Sequence, residues 1–182
     1  MNNKNIAVFC SASDDISSIY AEKASEFGAW MGQNHKNLVY GGSTGGLMEA
    51  VARAAKENGS LILGAVPSKL EENGKVSDLL DVNFRCDTLS ERKDIMVREC
   101  DVCVALPGGV GTMDEVFSVM ASATIGYHKK KVIFYNVNGF WNGIISFLEG
   151  LEEQRFSRDN MKSHYAVANT LEELSELLRQ TK

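Results

Sequence analysis

Short apolar runs alternate with segments of helical period along almost the whole chain, and this alternation limits the fold more than any other feature. Residues 6–10, 38–40, 61–66, 82–86, 102–106 and 132–135 read as strands. Residues 16–34, 47–58, 89–100 and 112–126 read as helices, with further helices near 140–151 and 171–180. In the first helix Ile16, Ile19, Tyr20, Phe27, Trp30 and Met31 form the expected buried side. Gly59 is placed to cap the second, and Thr170 with Glu173 has capping-box spacing before the last. Strands that alternate with helices form a parallel sheet covered on both faces. The expected fold is therefore α/β, a Rossmann-like doubly wound parallel sheet. With 182 residues and no repeat or low-complexity linker, residues 1–182 are expected to form a single nucleotide-binding domain.

Ligands of such sheets sit at the carboxyl ends of the strands. Both prolines, Pro67 and Pro107, follow predicted strands, and seven of the sixteen glycines fall in two post-strand loops. The first loop carries Gly41, Gly42, Gly45 and Gly46; the second carries Gly108, Gly109 and Gly111. Glycine lets backbone approach a ligand closely, and the free N–H groups of a helix start suit a phosphate. Plain tight turns explain either loop alone, but two on one sheet edge favour a phosphorylated ligand. Neither is a standard fingerprint. No lysine follows Gly46 or Gly111 as a P-loop requires, and Asp114 stands where a dinucleotide motif needs glycine. A mononucleotide or sugar phosphate fits better than a whole dinucleotide.

Arg92 and Lys93 share a helical stripe with Leu89, Met96, Val97 and Cys100, so two cations are expected on an inward face near the glycine loops. Their position in the first turns of a helix is disfavoured by its dipole, which is explicable by a ligand or by long stems that snorkel to water beside Glu91 or Asp94. Glu115 has two readings. Thr112-x-x-Glu115 is a capping-box spacing, yet Glu115 also lies on a stripe with Val116, Val119, Met120 and Ala123. A carboxylate there can orient a ribose hydroxyl or stabilise developing positive charge. Met113, Phe117 and Ile125 occupy other sides of the same helix, which is apolar nearly all round and so buried or packed against a partner subunit.

Composition excludes several classes. A net charge of −5 disfavours binding to nucleic acid polymers, and no apolar run is long enough to span a membrane. The N-terminal apolar stretch ends in Ser11-Ala12-Ser13 without a cleavage pattern, so a cytoplasmic protein is expected. Cys100 and Cys103 have C-x-x-C spacing, but with no second pair and no ligand spacing among His35, His128 and His164 the four cysteines are expected to be core thiols, and no metal is expected.

The run Pro-Gly-Gly-Val-Gly-Thr-Met-Asp-Glu at 107–115, behind Glu91-Arg92-Lys93 and Tyr-Gly-Gly-Ser-Thr-Gly-Gly-Leu-Met at 40–48, resembles the Lonely Guy (LOG) family. The resemblance runs from residue 6 to about residue 141. It implies a Rossmann-fold phosphoribohydrolase that cleaves the N-glycosidic bond of nucleoside 5′-monophosphates, cytokinin riboside monophosphates and AMP among them, to free base and ribose 5-phosphate. It implies that Arg92 and Glu115 are catalytic, and that Lys93 and the run Gly108, Gly109, Val110, Gly111, Thr112, Met113 and Asp114 bind the nucleotide. Gly41 and Gly42 join them as candidate binding residues. A homodimer and the absence of any cofactor are also implied. The chain departs from the usual pattern at Ser11-Ala12, Ser43, Glu49 and Leu89-Ser90, positions expected to line the pocket and bear on the choice of base. Two other classes use similar loops: a non-catalytic nucleotide or molybdenum-cofactor carrier, and a pyridoxal-phosphate decarboxylase, for which no lysine is marked.

Overall fold

The computed structural model describes residues 4–157 and 160–181. Its centre is a seven-stranded, all-parallel sheet. The strands are β1 (Asn5–Phe9), β2 (Asn37–Tyr40), β3 (Ile62–Pro67), β4 (Val82–Cys86), β5 (Val102–Ala105), β6 (Val132–Tyr135) and β7 (Tyr165–Ala168). The helices between and after them are α1 (Ser18–Gln33), α2 (Gly46–Glu57), α3 (Ser68–Glu72), α4 (Leu89–Glu99), α5 (Val110–Ile125), α6 (Asn142–Glu153) and α7 (Leu171–Gln180). The sheet order is β4-β3-β2-β1-β5-β6-β7, so the chain winds outward from β1 in one direction and then crosses back to wind outward in the other.

Strand side chains alternate between the two faces, and each face has its own helices. Ile6, Val8 and Cys10 point to the side covered by α1, α2 and α7, with Phe27, Met31, Val51 and Leu174 packed on them. Ala7 and Phe9 point to the side of α4, α5 and α6, against Met96, Val116, Met120 and Trp141. On the first side α1 and α2 lie very close. A Cβ at Gly28 would stand 2.4 Å from the Val51 carbonyl oxygen, so only glycine lets the two backbones meet there.

Four elements differ from the sequence-based expectation. The helix α3 and the edge strand β7 appear where no element is expected. The helix α5 begins at Val110 with Gly109 as its N-cap, two residues before the expected start, and ends on Gly126 in the left-handed conformation. On α4, Leu89 is exposed and Ile95 is buried, so the inward stripe runs through Arg92, Ile95, Met96 and Cys100. Among the described residues no helix is long and apolar enough to cross a membrane.

Candidate active site

The direction of winding reverses at β1, between β2 and β5, and the loops that leave β1 and β5 therefore diverge and open a crevice. A cleft of about 280 Å³ lies there. Cys10, Ser11 and Ala12 from the end of β1 and Met48 from α2 form one wall. Gly109, Gly111, Thr112 and Glu115 from α5 form the other, and Arg92 from α4 closes the floor.

The two glycine loops play different parts. The N-terminus of α2, after the first loop, is already supplied with acceptors: Gly46 N–H donates to Asp14 Oδ1 at 2.7 Å and Leu47 N–H to the Ser11 carbonyl at 2.9 Å. Gly41 and Gly42 are buried rather than open to the cleft. Gly42 has φ +71°, and a Cβ there would meet Val66. A Cβ at Gly41 would fall 1.5 Å from Arg92 Nη2, so the missing side chain is the space that the guanidinium occupies. The second loop is open. Gly109 and Gly111 have nothing near the position of a Cβ, no side chain caps α5, and Val110 is 78% exposed. Of the two helix starts, that of α5 is the one with N–H groups to offer an anion.

Arg92 is fixed from three sides. Its Nε donates to the Ala65 carbonyl at the end of β3 at 3.2 Å, its Nη1 donates to Glu115 Oε1 at 3.2 Å, and Gly41 lies under Nη2. Only 13% of the Arg92 side chain and 6% of the Glu115 side chain is exposed. The capping reading of Glu115 fails on position: with the cap at Gly109, Thr112 is already inside the helix, and Glu115 turns inward to Arg92. Thr112, Glu115, Val116, Val119, Met120 and Ala123 are the buried residues of α5, the stripe that the spacing predicts.

Lys93 stands beside this pair without lining the cleft. Its ammonium donates to both carboxylate oxygens of Asp114, at 2.8 and 2.9 Å, and to Ser118 Oγ at 3.0 Å. Its three protons are thereby taken, and it clamps α4 to α5. Met113 packs partly buried on the α5 side of the sheet, and Gly108 lies against Thr112, where a Cβ would stand 2.1 Å from Oγ1. Of the departures from the family pattern, Ser11 and Ala12 line the cleft. Ser43 bridges to Val76, Glu49 pairs with Arg53, and Leu89 and Ser90 are exposed. Sequence reasoning missed Cys10 and Met48. The signal for Cys10 was its place just after the first strand, where a doubly wound sheet reverses.

Burial raises the Glu115 carboxyl from 4.5 to about 7, with Asp114 adding to the rise, and the opposing pull of Arg92 and Lys93 does not cancel it. The unfolded chain loses this proton near 4.5 while the folded chain keeps it to about 7, so folded protein binds more protons in that window. Stability from this group therefore falls as pH rises from about 4.5 to 7 and is level above, a change of roughly 3 kcal/mol. Thermal melts of the wild type and of Glu115→Gln, compared at pH 5 and pH 8, isolate it: the wild type is expected to lose ground to the variant at pH 8. A difference in melting temperature that does not change between the two would remove the buried-carboxyl account.

An all-parallel sheet whose cleft lies at the winding reversal, with an open helix start on one wall, defines a Rossmann-like α/β protein. Comparison with known proteins narrows the class. The family described as "Possible lysine decarboxylase" matches residues 48–178. A probable cytokinin riboside 5′-monophosphate phosphoribohydrolase of Oryza sativa subsp. japonica is 34% identical over 177 residues, covering 97% of this chain and 72% of that protein. A cytokinin riboside 5′-monophosphate phosphoribohydrolase of Arabidopsis thaliana is 31% identical, covering 98% of this chain and 78% of that protein. The chain belongs to this family, the Lonely Guy family that its motifs resemble. The fold is shared with the Moco carrier protein of Chlamydomonas reinhardtii, with a TM-score of 0.76 at 22% identity over 99% of this chain and 98% of that one.

Proposed function

We propose that the chain is a phosphoribohydrolase that cleaves the N-glycosidic bond of nucleoside 5′-monophosphates, of the cytokinin riboside monophosphate or AMP type, to free base and ribose 5-phosphate. One observation carries this reading: the buried Glu115 carboxyl, held by Arg92, faces a small cleft beside the uncapped start of its own helix, α5. The names of the relatives support it.

In this reading the 5′-phosphate sits on the α5 start, over Gly109, Val110 and Gly111, with Thr112 beside it. The first loop does not compete, because Asp14 and Ser11 already satisfy α2. Gly41 and Gly42 shape the floor and seat Arg92. Lys93 positions Asp114 and the α4–α5 junction. The base rests on Cys10, Ser11, Ala12 and Met48, so Ser11 and Ala12 set part of its preference.

As the bond from C1′ to the base nitrogen breaks, its electron pair leaves with the base and positive charge develops on the ribose. The ionised Glu115 carboxylate stabilises that charge and takes a proton from the water that adds to C1′. The departing base gains its proton from solvent. Arg92 holds Glu115 in place and contributes positive charge toward the phosphate. No cofactor or metal has a part. The family's decarboxylase description finds no counterpart in the cleft: none of the residues lining it is a lysine, and Lys93 is engaged by Asp114 and Ser118.

The protein is proposed to act in the cytoplasm as a homodimer. Among the described residues, Phe117 and Ile125 of α5 join Leu148, Leu151 and Phe156 around an apolar groove of about 720 Å³. Ile125 is 74% and Phe156 76% exposed. A second copy packed about a two-fold axis buries this surface and brings the two α5 helices together. Light scattering at micromolar concentration is expected to give twice the chain mass; a species of 20.0 kDa would overturn the dimer.

Incubation with a panel of nucleoside 5′-monophosphates, followed by separation of products, tests the activity. Free base and ribose 5-phosphate are expected in equal amounts. A carrier would return its nucleotide intact, and base release from no member of the panel would overturn the hydrolase reading.

A further inference from the structure

At the end of α4 remote from the cleft, two thiols face one another. Cys100 follows the last turn of α4 and Cys103 lies in β5; both are buried, and their sulfurs are 3.7 Å apart. A disulfide requires an approach of roughly 1.7 Å from that contact. The two residues between them are firmly placed, since Asp101 exchanges hydrogen bonds with Asn5 through its N–H and its Oδ2, and Val102 pairs with Ile6. The sulfurs are thus held close by the sheet itself.

The pair is chemically unequal. Cys100 Sγ donates to the Val97 carbonyl at 3.5 Å, and the Lys130 ammonium donates to the same oxygen, which puts a cation beside Cys100. Lys130 also lines a cleft of about 620 Å³ with Asp101, the residue next to Cys100, and with His128 and Lys131. Cys103 lies behind it, with no exposure. The hydrogen bond from Cys103 and the Lys130 charge lower the Cys100 thiol against the cost of burial, whereas Cys103 is pushed well up. Two thiols that only fill core space need neither the mutual contact nor the ammonium.

We propose that Cys100 and Cys103 form a peroxide-sensitive dithiol that closes to an intramolecular disulfide. The Cys100 thiolate attacks one oxygen of hydrogen peroxide; the O–O bond breaks, hydroxide leaves and takes up the proton that Cys100 released, and Cys100 becomes a sulfenic acid. Cys103 sulfur then attacks Cys100 sulfur, and its proton departs with the displaced hydroxyl as water. In sum two thiols and one peroxide give one disulfide and two waters. The bridge joins α4 to β5, the elements that lead to Arg92 and to the 108–109 turn, but the chemistry is independent of what the cleft binds.

The test uses the intact protein. After hydrogen peroxide and then catalase, the protein is unfolded in iodoacetamide, digested with trypsin and weighed. The peptide holding both residues is expected to have lost two hydrogens and to carry no alkyl group, and dithiothreitol is expected to reverse this. Cys10 and Cys86, whose thiols burial pushes up, are expected to be alkylated in full. Alkylation of Cys100 and Cys103 after peroxide, or a sulfinic acid at Cys100 with Cys103 still alkylated, would overturn the proposal. The order of attack has its own readout. In Cys103→Ser, dimedone is expected to trap a sulfenic acid at Cys100, and in Cys100→Ser, Cys103 is expected to stay reduced; oxidation of Cys103 in that variant would reverse the assigned roles.

Discussion

Replacing Glu115 with glutamine is expected to lower kcat by roughly 10²–10³ and to leave the protein folded. The loss corresponds to removing one preorganised charge from a transition state that develops the opposite charge. The stability side follows from burial. The folded protein already favours the neutral carboxyl up to about pH 7, and glutamine resembles that neutral form while still accepting from Arg92. At pH 5, where the folded protein holds the neutral carboxyl, a change within about 1 kcal/mol is expected, far less than removing a fully ionised partner from a buried pair, and above pH 7 the variant is expected to gain on the wild type. Nucleotide affinity is expected to survive, because the proposed seat of the phosphate is the α5 start and not Glu115. Steady-state kinetics and melting temperature on this one variant decide the matter. Unchanged kcat removes Glu115 from the chemistry, and loss of kcat together with collapse of the fold makes it a structural residue.

Removing the 5′-phosphate from the substrate is expected to lower kcat/KM by about 10²–10⁴. Hydrogen bonds from protein to a charged group contribute roughly 1.5–3 kcal/mol each, and the open start of α5 offers at least two N–H groups. Part of that energy positions the ribose against Glu115, so the loss is expected in kcat as well as in KM. AMP and adenosine are the pair to compare. Equal kcat/KM would mean that the helix start does not hold the phosphate, even with hydrolysis intact.

The sheet and most helices are legible in the sequence because most of the buried parallel strands are short apolar runs, and β2, β3 and β5 end at or just before glycine or proline. What was hidden had no local signal. The helix α3 has five residues and buries none of them, so no apolar period marks it. The edge strand β7 has four residues and pairs only with β6, and its middle two are half-buried. Leu89 attracted the inward stripe by its hydrophobicity, but it begins α4 at an exposed end, and the helix is turned by Ile95 instead. At the cleft, the inward positions of Arg92 and Glu115 followed from spacing. That Asp14 would occupy the α2 start was not readable, because the contact joins residues 32 positions apart. Gly41 was read as room for a ligand, and it is room for Arg92.

The three supports of the Arg92 guanidinium come from three separate places in the fold: the turn after β2, the last carbonyl stretch of β3 and the second turn of α5. None of these touches the others through a continuous helix or hairpin, so the guanidinium reports on their simultaneous arrival. Local opening at the end of β3 or the start of α5 is expected to remove the arrangement around this one side chain while most of the helical signal persists. Activity is then expected to fall before the helical signal as the protein is destabilised, which rate and circular dichroism followed together along a denaturant series would show.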